Sequence, residues 1–273
     1  MKRLKEQIKL LVLDLDGTLV NTEKKLSSRT RQTLIKLQQQ GVRLVLASGR
    51  PTYGIVPLAE ELAIAEYGGF ILSYNGGTII DWSTKKVLHQ SILAEKYISP
   101  CYELAQKHGV NIVSYLDEFV VTEKSDDDYV QYEAKLNNMP IKQVPDFCAS
   151  LIEPVSKCLI VGDPAVLVTM EQQMKAMYES ELSIYRSYPF FLEINPMDID
   201  KANSLRILNQ HLGTSPEQMV ACGDGFNDLT MISYAGTGVA MLNAQEAVKK
   251  AASYVTGSND DDGVAQFVES FLL

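Results

Sequence analysis

The sequence predicts an α/β protein: a doubly wound parallel-sheet core, split by an inserted α+β domain. Three observations predict it. Short apolar runs without alternation, such as KLLVL (9–13) and RLVLAS (43–48), read as strands buried on both faces, as in a parallel sheet. Helix-length segments separate them on short links, which implies right-handed strand–helix–strand units. The theme breaks off near residue 83 and resumes near 191, with mixed strands, helices and antiparallel turns between. The expected division is a discontinuous Rossmann-like core, 1–83 and 191–273, and an inserted domain, 84–190.

Taken in order, the first strand ends at DLDG, and Ser27 or Ser28 can cap a helix with Leu34 and Leu37 inward and Gly41 at its end. After the second strand, FILSYN (70–75) is a third, closed by Gly76 and Gly77. In the insertion, VLHQSI reads as a strand, and a helix over about 94–108 aligns Tyr97, Cys101, Leu104 and His108. VNIVSY and FVVTE form a hairpin around Leu116–Asp117–Glu118. KCLIVG, a helix whose Leu167, Met170, Met174 and Met177 pack inward, LSIYRS and FFLEIN complete it. A helix over about 201–212, the strand MVACGD (219–224), a further helix and the strand TGVAM restore the parallel pattern.

At 273 residues the chain suits two domains. A net charge of -9 argues against a nucleic-acid partner, which requires a basic face. It does not exclude small phosphorylated substrates, because a bound cation or one lysine reverses the sign locally. Cys101, Cys148, Cys158 and Cys222 form no CxxC or Cys/His cluster, so reduced thiols in a cytoplasmic protein are expected. The basic-then-apolar start, MKRLKEQIKLLVLDLDG, is too short in its apolar part, and too interrupted by aspartate, for a signal peptide. No apolar run is long enough to span a membrane.

Three of the parallel-type strands end in polar residues, at Asp14, Ser48 and Asp224. Ligands of open α/β sheets bind beyond the carboxyl ends of strands, so neighbouring strands would bring these side chains together. Asp14 and Asp16 stand two apart, and alternation along a strand would turn both carboxylates to one side. Their repulsion calls for a hard cation, Mg²⁺ or Ca²⁺. A calcium loop fails on spacing, since Leu19 and Lys25 stand where glycine and glutamate are required. A lone DxDG is also a common turn. GDGFND (223–228) supplies a second acidic strand end: Asp224 can complete the cation site, with Asn227 and Asp228 on the next turn. Ser48-Gly49-Arg50 offers a hydroxyl and a backbone N–H to a phosphate oxygen. Lys201 begins a helix, where the macrodipole disfavours a cation; aiming at an anionic site would offset that. Asn75-Gly76-Gly77 reads as a turn, with a substrate contact as the second reading. The acidic tracts SDDDY (125–129) and SNDDDG (258–263) read as solvated loops or helix starts.

DLDGTLVN, ASGR, Lys201 and GDGFND, in that order over nearly the whole chain, resemble the four motifs of the haloacid dehalogenase superfamily. The position of the insertion is similar to that in Cof-type hydrolases, which carry an α/β cap of C2 type there. The resemblance implies a Mg²⁺-dependent phosphatase. Asp14 would be the nucleophile that forms an aspartyl-phosphate, and Asp16 the acid and base. Mg²⁺ would be held by Asp14, the Asp16 carbonyl and Asp224. Leu15, Ser48, Gly49, Lys201 and Asn227 would bind the phosphoryl oxygens, Asp228 would orient Lys201 or a metal-bound water, and Arg50, Asn75 and Gly76 would support the site or meet substrate. The chain departs from the family at Asp198 and Ala202, where glycine is frequent. The implied substrate is a small phosphorylated metabolite, such as a sugar phosphate. A phosphomutase or phosphotransferase on a sugar phosphate is the alternative, and a non-enzymatic phospho-aspartate switch ranks below both.

Overall fold

The computed structural model describes residues 7–178 and 180–273 of the chain. The reading of residues 1–6 as a basic start lies outside the described residues. The chain divides into two compact units, one running up to His89 and resuming over Asp200–Leu273, the other Gln90–Ile199.

The first unit is built on an eight-stranded sheet among the described residues. Its strands are β1 (Leu10–Leu13), β2 (Arg43–Ala47), β3 (Phe70–Ser73), β4 (Thr78–Asp81), β5 (Lys86–Gln90), β12 (Met219–Gly223), β13 (Thr237–Ala240) and β14 (Tyr254–Val255), in the order β14-β13-β12-β1-β2-β3-β4-β5. From β14 to β3 the pairing is parallel, and β4 returns antiparallel to β3. Every residue of β1 is buried, which is why its sequence shows no alternation. The helix Ser28–Gln39, capped by the Ser27 hydroxyl on the Thr30 N–H, packs with the C-terminal helix Gly263–Phe271. Helices Lys201–Leu212 and Leu229–Tyr234 pack together likewise.

The register levels the chemistry. Leu13 of β1 pairs with Cys222 of β12 and with Leu46 of β2. Asp14, Ser48 and Asp224 therefore leave three adjacent strands at one height.

The second unit holds a six-stranded sheet in the order β10-β11-β9-β6-β7-β8 among the described residues. These strands are β6 (Asn111–Leu116), β7 (Phe119–Thr122), β8 (Ile141–Gln143), β9 (Cys158–Val161), β10 (Leu182–Tyr188) and β11 (Phe191–Pro196). Pairing is antiparallel except between β7 and β8. Helices Ile98–Lys107 and Pro164–Tyr178 cover the face carrying Ile112, Cys158, Ile160, Ile184, Leu192 and Ile194.

Several details differ from expectation. β4 was not foreseen, because FILSYN-GG suggests a strand and a stop, not a hairpin. VLHQSI becomes β5 of the first sheet, and FFLEIN becomes β11 of the second, so both joints fall several residues later than 83/84 and 190/191. Met170 and Met174 are buried as the helical spacing predicts, but Met177 is 58% exposed: it closes the helix, one position before its last residue.

Candidate active site

Lys201 is the centre of the arrangement. Its side chain is fully buried, and its Nζ donates to Asp14 Oδ1 at 2.6 Å, to Asp228 Oδ1 at 2.6 Å and to the Ala47 carbonyl at 2.8 Å. A buried ammonium needs such a set of acceptors. Burial alone would lower its pKa, but the two carboxylates outweigh burial and hold the lysine firmly protonated. The helix start that looked wrong for a cation is satisfied separately, since Asp200 caps it through the Ala202 and Asn203 N–H groups.

Asp228 spends its second oxygen locally, accepting from the N–H groups of Asp224 and Gly225 at 2.9 Å each. It thereby ties the GDGFND turn to Lys201. Asp224 accepts from the Thr18 hydroxyl at 2.8 Å. Gly17 adopts φ +85, and a Cβ there would fall on the Asp224 carboxylate, so close approach and backbone both require glycine.

Asp14, Asp224 and Asp228 offer carboxylate oxygens that lie within 4.8 Å of one another. Burial, then the Asp228 charge, raises the Asp14 carboxyl well above the ordinary 3.8, against the pull of Lys201. Burial likewise pushes Asp224 up to about 6, although the Thr18 hydrogen bond opposes it. Burial makes ionisation costly here: fully ionised, the three carboxylates would carry more negative charge than Lys201 neutralises. An all-oxygen, anionic donor set with unmet charge fits a hard divalent cation such as Mg²⁺.

Asp16 is placed differently from the alternation argument. β1 ends at Leu13, and Asp16 lies in the following turn, bridged to Val20. Its carboxylate accepts from Arg50 Nε at 2.8 Å and Nη2 at 2.6 Å, and from Lys24 Nζ at 2.8 Å. Burial would raise its pKa, but these cations outweigh burial and lower it. The clustered carboxylates are Asp14, Asp224 and Asp228, so the Asp16 carboxylate that alternation would set beside Asp14 is not among them.

The remaining expected residues gather around β2 and β3. Ser48 is buried, and its Oγ accepts from the Arg50 N–H at 3.2 Å. The Asn75 N–H donates to the Ser48 carbonyl at 2.8 Å, and Asn75 Oδ1 accepts from Asn227 Nδ2 at 3.0 Å. Gly49 lies against the Asn75 amide. Gly76, at φ +94, packs on Ser204 of the lysine-bearing helix. Leu15 is buried in the turn after β1. Asp198, where the family favours glycine, adopts φ +62. Aspartate is one of the few residues that tolerate this left-handed backbone. Thr18, Lys24 and Asn243 went unread as site residues. Thr18 had a signal in its place beside Gly17; Lys24 and Asn243, brought in by turns, had none.

A family model described as haloacid dehalogenase-like hydrolase matches residues 11–268. A solved haloacid dehalogenase-like hydrolase from Bacteroides thetaiotaomicron is 52% identical, with a TM-score of 0.95 over 96% of this chain and 99% of that one. A 5-amino-6-(5-phospho-D-ribitylamino)uracil phosphatase of Bacillus subtilis is 30% identical over 266 residues, 97% of this chain and 96% of its own. The pyridoxal phosphate phosphatase of Escherichia coli is 29% identical over 272 residues, 97% and 99% of the two chains. With its four motifs gathered at the carboxyl ends of β1, β2 and β12, the chain belongs to the haloacid dehalogenase-like hydrolases.

Proposed function

We propose that the protein is a Mg²⁺-dependent phosphatase of small phosphorylated metabolites, acting through an aspartyl-phosphate on Asp14. The observation that carries this reading is the buried Asp14–Lys201–Asp228 array beside Asp224, at the ends of adjacent parallel strands. The names of relatives acting on ribitylaminouracil and pyridoxal phosphates agree with a phosphate monoester as substrate.

Asp14 would hold the cation together with Asp224 and the Asp16 carbonyl, leaving Asp228 to the lysine and the two N–H groups. When bound, Mg²⁺ would neutralise charge on Asp14 and on the phosphoryl group, as phosphoryl transfer requires. Lys201 orients one Asp14 oxygen, leaving the other free to attack phosphorus. Ser48, the Gly49 N–H and Asn227 would receive the equatorial oxygens, where charge spreads in the transition state. Asp16 is ready as a base for the hydrolytic water. To act as acid it must leave Arg50 and Lys24 and take up a proton, and an incoming phosphate dianion would compete for those two cations.

The test is steady release of phosphate from p-nitrophenyl phosphate with Mg²⁺, abolished by EDTA and restored by Mg²⁺. Metal-independent turnover, or a single stoichiometric phosphorylation without release, would overturn the reading.

A further inference from the structure

The acidic tract SNDDDG, read from sequence as a solvated loop or helix start, leads into the helix Gly263–Phe271 and is not idle. Together with Asn243 it forms a clasp along the turn that carries Asp16. Asn243 Nδ2 donates to the Gly17 carbonyl at 2.8 Å, and Asn243 Oδ1 accepts from the Asn259 N–H at 3.1 Å. Asn259 Nδ2 donates to the Val20 carbonyl at 3.0 Å. Asp260 accepts from the Thr22 N–H at 2.8 Å and from its hydroxyl at 2.7 Å. Two side-chain amides and a carboxylate from the end of the chain thus bind residues 17, 20 and 22 in sequence. The loop bearing Asn243 is itself tied to the site, because the Gln245 N–H donates to the Asp224 carbonyl at 2.9 Å.

From this geometry we infer that Asn243 is a positioning residue for Asp16, and that Asn259 and Asp260 extend its hold. Gly17 lies between Asp16 and Thr18, so fixing its carbonyl fixes both the carboxylate proposed as acid and the hydroxyl that holds Asp224. Asn243 is exposed, and its amide bonds the Gly17 carbonyl and the Asn259 N–H, not the clustered carboxylates. The segment it clasps, residues 14–27, crosses from β1 to the first helix on turn hydrogen bonds, such as those from the Leu19 and Val20 N–H groups to the Leu15 carbonyl, with the Asp16–Val20 bridge as its strand pairing. Arg50 and Lys24 hold the Asp16 carboxylate directly, and the clasp holds the backbone that carries it, so the two together fix its position. The inference rests on the phosphatase reading and on Asp16 as its acid.

Asn243→Asp separates the donor from the rest: it keeps Oδ1 for the Asn259 N–H and loses the hydrogen bond to Gly17. The measurement is kcat/KM for p-nitrophenyl phosphate and phenyl phosphate. Nitrophenolate leaves with little help, whereas phenolate needs a proton from the acid. Asn243→Asp is expected to lower kcat/KM for phenyl phosphate about tenfold and for p-nitrophenyl phosphate less than about threefold. Asp16→Asn should show the same bias more strongly, and Asn259→Ala more weakly. If Asn243→Asp leaves both values unchanged or lowers both equally, while Asp16→Asn shows the bias, the inference fails and the phosphatase reading stands. If Asp16→Asn shows no bias, or the wild type releases no phosphate, the underlying reading fails and the inference with it.

Discussion

Lys201 and Lys157 are both buried, and each sits with carboxylates, yet the two units use them differently. Lys201 joins Asp14 and Asp228 at the ends of parallel strands, with Asp224 as a third carboxylate alongside. Lys157, in the inserted unit, pairs with Glu193 at 2.8 Å, close to Glu133 and 5.2 Å from the Tyr115 ring centre. In both places carboxylates outnumber the lysine. What differs is how the surplus charge is met. Glu133 is met by donors: the Tyr115 hydroxyl at 2.6 Å and Asn137 Nδ2 at 2.7 Å. Burial further pushes its pKa up to about 7, so a proton can remove the charge. Around Asp14 and Asp224 burial raises the carboxyls as well, but the nearby donors are committed to single oxygens, and in the Mg²⁺-dependent reading proposed above a cation would meet the surplus. A buried lysine with two acids is thus not in itself a catalytic signature. The third carboxylate, Asp224, at the carboxyl ends of parallel strands where ligands of open α/β sheets bind, is what separates the two.

The largest effects should fall on the first cluster. Asp14→Asn is expected to lower kcat on p-nitrophenyl phosphate by at least about 1000-fold, with the thermal midpoint shifted by only a few degrees. Lys201→Met should match that loss and also destabilise by about 3–5 kcal/mol, because two buried carboxylates lose their partner. Lys157→Met should destabilise on the same scale, measured by urea unfolding, while the folded variant keeps turnover within about threefold of wild type. A folded Lys157→Met protein as inactive as Lys201→Met would erase the distinction between the units.

A cation should tell the clusters apart without any activity measurement. Mg²⁺ at 100 times its Kd stabilises a folded protein by about 2.7 kcal/mol. Thermal melts of the wild type should therefore rise by several degrees with Mg²⁺ at pH 7.5, and those of Asp224→Asn should not. Lys157→Met should respond as the wild type does. A Mg²⁺ shift that survives Asp224→Asn would place the cation elsewhere.

How much of this was legible beforehand depended on the backbone. Asp14, Ser48 and Asp224 were readable because each follows a run of buried, mainly apolar strand residues, and such strands leave few other arrangements. Lys201 was readable because it contradicts the helix dipole. The Asp16 side chain was less legible, because period-two alternation was extended three residues past the end of β1, into a turn. Lys24 and Asn243 could not be read at all: they reach the site across turns, and turn geometry follows from tertiary hydrogen bonds, not from residue spacing. The Glu133–Lys157–Glu193 group was invisible for a similar reason. Its members come from a helix, from the residue before β9 and from β11, and only the folded sheet makes them neighbours.

The smallest expected effect bears most directly on how Glu133 is neutralised. Its ordinary pKa is 4.5, and in the folded protein burial raises it to about 7, against the opposing pull of Lys157 and Tyr115. Below about pH 4.5 the carboxyl is protonated folded and unfolded, and no penalty arises. Between that point and about pH 7 the unfolded chain gives up the proton while the folded one retains it, so stability falls as pH rises. Glu133→Gln removes the titration and keeps a neutral side chain of the same shape. The thermal midpoint of the variant relative to wild type should therefore rise by a few degrees between pH 5 and pH 8. The difference should be flat if Glu133 is ionised throughout, with Lys157 serving both glutamates as Lys201 serves both aspartates. In that case the two clusters would share one electrostatic design, and only the sheet edge beyond Asp14 would distinguish them.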